Sequence, residues 1–100
     1  MFFKDPLTIK PILNTMQVST SPRIFVHTVT VEIVAENEGH CIISFSNEKE
    51  KILRMMGVNL KEGTHNICLD DLESLTAGTY RLEVRNSDGK SLYKIQLFKQ

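Results

Sequence analysis

From Phe25 onward, apolar side chains recur at every second position in short runs, the period of a strand with one buried face. Phe25, His27, Val29, Val31 and Ile33 alternate with Val26, Thr28, Thr30, Glu32 and Val34, which predicts a first strand across that stretch. A second strand is expected over His40–Ser46, with Cys41, Ile43 and Phe45 inward. His65–Leu69 reads as a short strand that turns Ile67 and Leu69 inward and Cys68 outward. Gly78–Arg85 alternates without a break, with Tyr80, Leu82 and Val84 in and Arg81, Glu83 and Arg85 out. Ser91–Lys99 returns with Tyr93, Ile95 and Leu97 inward. Lys51–Met56 is ambiguous, since Ile52, Leu53, Met55 and Met56 suit a helical turn as well as a strand. Short flanking loops favour a strand that ends at Gly57, with the methionines in the core, while Phe98 is left open between core and surface.

Turn residues punctuate these runs. Glu36-Asn37-Glu38-Gly39 and the charged Asn47-Glu48-Lys49-Glu50 separate strands, and Asp88-Gly89 favours a hairpin because glycine tolerates positive φ. Asp70–Leu75 carries cap residues and reads as a single helical turn or a tight loop. Residues 1–22 hold all three prolines and read as an N-terminal loop or edge segment. There Leu7-Thr8-Ile9 and Ile12-Leu13 suit an edge strand, and Ser19-Thr20-Ser21-Pro22 suits a loop. Residues 23–100 then form a single domain. Evenly spaced short strands without a long amphipathic helix predict an all-β fold. The expected form is an antiparallel Ig-like or fibronectin-III-like β-sandwich of about seven strands.

Composition narrows the function. The chain has 100 residues, enough for one domain, and 41% hydrophobic with 24% charged residues is an ordinary globular balance. Twelve basic residues offset twelve acidic ones, which argues against nucleic acid as a partner. Asp5, Pro6, Lys10 and Pro11 interrupt any secretory signal, and no run approaches the ~18 apolar residues of a membrane span. The chain as written therefore reads as cytoplasmic, without membrane insertion, or as secreted or surface-bound if it is a piece of a longer exported protein. Cys41 and Cys68 are expected to face different ways and to stay free thiols. His27, His40 and His65 lack metal-ligand spacing, so neither metal nor cofactor is expected. Hydrolase, metalloprotease and phosphate-loop motifs are missing, so the chain reads as a non-enzyme.

A set of motifs in fixed order adds a more specific expectation. Leu60-Lys61-Glu62-Gly63-Thr64-His65-Asn66 fits L-x-x-G-x-N with one residue to spare. Leu72-Glu73-Ser74-Leu75-Thr76-Ala77-Gly78-Thr79-Tyr80 fits L-x-x-L-x-x-G-x-Y. Asp88-Gly89 supplies a glycine turn, and Lys94 and Lys99 place lysines on the last strand. Across Thr28–Lys99 the order resembles the type A C-terminal sorting domain of proteins exported by the bacterial type IX secretion system. Two features depart from that pattern: Thr20-Ser21-Pro22 replaces a Pro-Asn-Pro, and the turn after the second strand has no glycine. The resemblance implies an Ig-like sandwich of Bacteroidota origin that docks to a secretion or envelope partner through its C-terminal hairpin. Gly78, Tyr80, Gly89, Lys94 and Lys99 would be its recognition residues. Small Ig-like Bacteroidales proteins of unknown function are equally similar. They imply instead a stand-alone interaction or structural module that could pair with a second copy through a sheet edge.

Overall fold

The computed structural model describes residues 16–100. Among these, eight strands run in the order β1 (Met16–Ser21), β2 (Ile24–Phe25), β3 (Val29–Ala35), β4 (Gly39–Asn47), β5 (Ile52–Leu60), β6 (Gly63–Leu69), β7 (Gly78–Asn86) and β8 (Ser91–Lys99). They form two sheets, β1-β3-β6 and β2-β8-β7-β4-β5. β5 stays beside β4 in the larger sheet instead of crossing to the smaller one, the fibronectin-III-like variant of the Ig-like sandwich. The expected strands over 25–34 and 51–56 and the loop at Ser19–Pro22 need correction, and one short pair is parallel.

Residues 25–34 are two strands. Phe25 belongs to the larger sheet and Val29 to the smaller, so the chain changes layers over Val26–Thr28. His27, grouped with the inward positions by its spacing, is exposed at that crossing. Its carbonyl accepts a bond from Leu72 N at 3.0 Å. β2 lies parallel to β8, with Ile24 opposite Phe98 and Phe25 opposite Lys99, so the pairing is not wholly antiparallel.

β1 pairs with β3 along its whole length, Met16 with Ala35 through Ser21 with Thr30. Ser19–Ser21 are thus strand rather than loop, and residues 16–21 join the sandwich. Met16, Val18 and Thr20 are half-buried between exposed Gln17, Ser19 and Ser21. The pattern was hidden because the polar Thr20 takes a half-buried position that in other strands carries an apolar residue, between Ser19 and Ser21 on the solvent face. The strand expected at Leu7–Leu13 lies outside the described residues.

β5 continues through Gly57 to the buried Leu60. Gly57 is not in a left-handed conformation and pairs with Ile42, so it does not end the strand. Met56 packs against the core, but Met55 is 60% exposed, contrary to the expectation for both methionines. Phe98 is exposed at 41%. Asp70–Leu75 takes the second of its two expected forms, a tight loop: Asp71 has φ 59° and Leu72 plugs the core at 0% exposure.

Both sheets contribute to one core. Val29, Val31, Ile33 and Leu69 come from the smaller sheet, and Phe25, Cys41, Ile43, Phe45, Leu60, Tyr80, Leu82, Val84 and Leu97 from the larger. The inward sets expected for residues 41–45, 67–69, 80–84 and 93–97 face this core.

Two hairpins in the larger sheet are built alike. After β4, Asn47 N bonds Lys51 O and Glu50 N bonds Asn47 O. After β7, Asn86 N bonds Lys90 O and Gly89 N bonds Asn86 O. Each asparagine Oδ1 accepts two further amides, from Lys49 and Lys51 or from Asp88 and Lys90. These are three-residue loops that end in a left-handed position, filled by Gly89 (φ 84°) in one and Glu50 (φ 66°) in the other.

Candidate docking surfaces

The five candidate recognition residues do not share one surface. Tyr80 points into the core, where its ring stacks on Phe45 (5.4 Å between centroids, 4° between planes) and meets Phe25 edge-on at 5.9 Å. Its hydroxyl donates to Thr76 O at 2.6 Å, four residues upstream. This is the tyrosine corner of Ig-like sandwiches, a tie between a buried strand and the loop leading into it. Gly78 serves the same corner. Its φ of 149° disfavours a side chain, and Glu48 Oε1 lies 3.7 Å from where a Cβ would stand. Lys99 pairs with Gly78, turns inward at 9% exposure and donates from Nζ to Gln100 O at 3.1 Å. Gly89 occupies the turn at the far end of the hairpin. Of the five, only Lys94 presents a charged side chain to solvent, from the middle of β8.

Lys94 belongs to a polar row on the outer face of the larger sheet, Ser44–Glu83–Lys94, each paired with the next. Glu83 lies 3.1 Å from Arg85 Nη2 and 3.9 Å from Lys94 Nζ. Burial pushes its carboxyl up, but hydrogen bonds from Ser91 and Arg85 and the charges of Arg85 and Lys94 outweigh that and hold it below the ordinary glutamate range. Toward β5 the face becomes apolar, with Ile42, Ile52 and Met55 exposed. A shallow groove of about 390 Å³ runs between the charged and apolar halves.

Two edges matter for docking. β2 covers β8 only at Phe98 and Lys99, and Arg23 Nη2 reaches Gln96 O at 3.4 Å. Among the described residues no strand pairs with the outer edge of β8 from Ser91 to Ile95. At the opposite end of the same sheet, no strand among the described residues pairs with the outer side of β5, nine residues long; β1 and β6 are the outer strands of the smaller sheet. Sequence reasoning missed the β5 edge because it stopped the strand at Gly57. The signal was the apolar Val58 and Leu60 continuing the alternation beyond it.

The thiols and histidines form no centre. Cys41 is buried, which pushes its thiol up, and Cys68 is exposed on the smaller sheet. Cys68 Sγ donates to Asp70 Oδ1 at 3.0 Å, and that carboxylate raises the Cys68 pKa further. His40 bonds Asn59, and His65 Nε2 lies 2.7 Å from Lys61 O. No group of three or more metal-binding side chains occurs among the described residues.

No family model matches the chain, and no curated protein matches it. Its fold is similar to part of several β-glucosidases. A mutant β-glucosidase from Listeria innocua, in complex with laminaribiose, superposes with a TM-score of 0.62 at 13% identity, over 87% of this chain and 16% of that one. A β-glucosidase from Kluyveromyces marxianus gives 0.56 at 15%, over 87% and 14%. A GH3 β-glucosidase from Bifidobacterium adolescentis gives 0.54 at 16%, over 86% and 17%. This chain thus spans about a sixth of their length, and the likeness concerns the fold alone.

Proposed function

We propose that the chain is a non-enzymatic docking module that binds a protein partner by adding a strand to β8, the partner being a secretion or envelope component. The supporting observation is the open backbone of β8 from Ser91 to Ile95, with Lys94 on its outer face. An exposed edge with alternating side chains is the substrate of β-strand addition, in which main-chain bonds give affinity and flanking side chains give specificity. The ordered motifs resembling type IX sorting domains supply the partner class.

The test is an export assay in a host with type IX secretion. The full chain is fused behind a signal peptide and reporter and compared with Lys90→Glu/Lys94→Glu, which leaves the core untouched. Surface reporter lost in the double variant, with both proteins folded, is the expected outcome. Periplasmic retention of both sinks the sorting role.

A second reading keeps the fold as a structural or interaction module beside larger domains, without export. The likeness to parts of β-glucosidases supports it, since there a similar fold fills a minor share of the chain. Co-purification with a cytoplasmic partner, combined with a negative export assay, would select it.

A further inference from the structure

We infer that the segment Leu7-Thr8-Ile9 of this same chain covers the open edge of β8, antiparallel to Tyr93–Ile95, and is the occupant that a partner strand would have to displace. The place where the chain enters the sandwich points to it. β1 begins at Met16, and Met16 and Leu92 line one cavity beside the start of β8. β1 and β8 lie alongside each other, with Tyr93 Oη donating to Thr20 Oγ1 at 3.0 Å. The chain preceding Met16 therefore arrives next to the uncovered edge. Six residues, Lys10–Thr15, join Ile9 to Met16. Such a link spans up to roughly 20 Å, about twice the distance between packed sheets.

The edge itself has the chemistry of a missing strand. Where β2 covers β8, the inward Leu97 and Lys99 are buried. Beyond β2, the inward Tyr93 and Ile95 are left half-buried against the core. The main chain is left open as well. Phe98 N bonds Arg23 O, Gln100 N bonds Phe25 O and Gln96 O accepts from the Arg23 guanidinium, so even-numbered backbone groups of β8 face this edge. By the two-residue period of a strand, the N–H and C=O of Lys94 face it too, and no strand among the described residues meets them.

The segment fits that edge in one register. With Thr8 opposite Lys94, the two residues exchange both backbone bonds, and Leu7 and Ile9 turn inward beside Ile95 and Tyr93. Pro6 then falls opposite Gln96, whose carbonyl Arg23 already takes, so the missing proline N–H leaves no acceptor unpaired. At the other end, pairing stops at the bulge where β8 breaks step with β7 between Tyr93 and Ser91. A shift of two residues one way sets Lys10 on Lys94, like charge on like. The same shift the other way sets Pro6 on Lys94 and leaves that carbonyl without a donor. A one-residue shift turns Leu7 and Ile9 out to solvent. The inference does not rest on the export reading, since it concerns the chain with no partner present.

Residue-resolved hydrogen exchange on the purified full chain tests it. The Lys94 amide should exchange at least about tenfold more slowly than in Leu7→Asp/Ile9→Asp, which puts charges against the half-buried Tyr93 and Ile95. Amides of the central β7 should stay equally protected in both, to show that the fold survives. Register is read in a Cys68→Ser background by oxidising two further variants, Thr8→Cys/Lys94→Cys and Lys10→Cys/Lys94→Cys. Opposed positions lie about 5.5 Å apart and diagonal ones about 7–8 Å, so the Thr8 variant should close an intramolecular disulfide in the higher yield. Four outcomes overturn the proposal: a Lys94 amide that exchanges freely in the full chain, protection that the double aspartate variant leaves unchanged, protection that rises with protein concentration and so belongs to a second copy, or closure that favours the Lys10 variant.

Discussion

At the scale of single residues, neighbours one position apart on β7 have opposite weight. Leu82 is fully buried, so Leu82→Ala should cost about 2–5 kcal/mol in urea denaturation. Arg81→Ala should cost less than about 0.5 kcal/mol, because its contact with Glu50, at 3.9 Å, is solvated. Equal losses would mean that the register is wrong. Tyr80→Phe keeps the stacked ring and removes only the hydroxyl that ties the corner; about 1 kcal/mol should go. Glu83 gives a pH dependence of known sign. Its folded pKa lies below its unfolded one, so its stabilisation is complete above the ordinary glutamate range and is lost as pH falls through the folded value. Glu83→Gln should therefore flatten the acid side of the stability–pH profile, read from denaturation midpoints at a series of pH values.

At the scale of elements, the paired hairpins make a natural comparison. Glu50 holds the left-handed position that Gly89 holds in the other turn, at a conformational cost of about 1–2 kcal/mol for a residue with a Cβ. Glu50→Gly should stabilise the protein by about 0.5–1 kcal/mol, and Gly89→Ala should destabilise it by a similar amount; thermal midpoints of the two variants decide. The same scale shows what the sequence could reveal. Strands buried on one face, such as Gly78–Asn86, are legible because solvent and core impose period two directly. Layer changes and edges are not. The crossing at Val26–Thr28 keeps the alternation while moving the chain between sheets, so His27 looked like an inward position. β5 looked shorter because glycine usually ends a strand, whereas Gly57 pairs with Ile42 in the middle of this one. Among candidate site residues, Tyr80 was legible as an inward ring from its alternation, but Lys99's inward turn was not, since lysine at a strand end ordinarily faces water.

At the scale of the whole molecule, the described strands start in the smaller sheet and finish in the larger one. β1 lies in the smaller sheet, β2 crosses to the larger, and the last strand is fastened to that crossing. Phe98 N bonds Arg23 O at 2.8 Å, and Gln100 N bonds Phe25 O at 3.0 Å. Because β2 and β8 run parallel, tension between the start of β2 and the end of β8 drags the strands past each other lengthwise. The bonds across them are then loaded together instead of peeling open one at a time. Any partner that hauls on the chain by its last residues meets this short clasp first. The domain can therefore bear load along that axis while remaining easy to unravel from the β5 side, where a pull separates one pair of bonds after another.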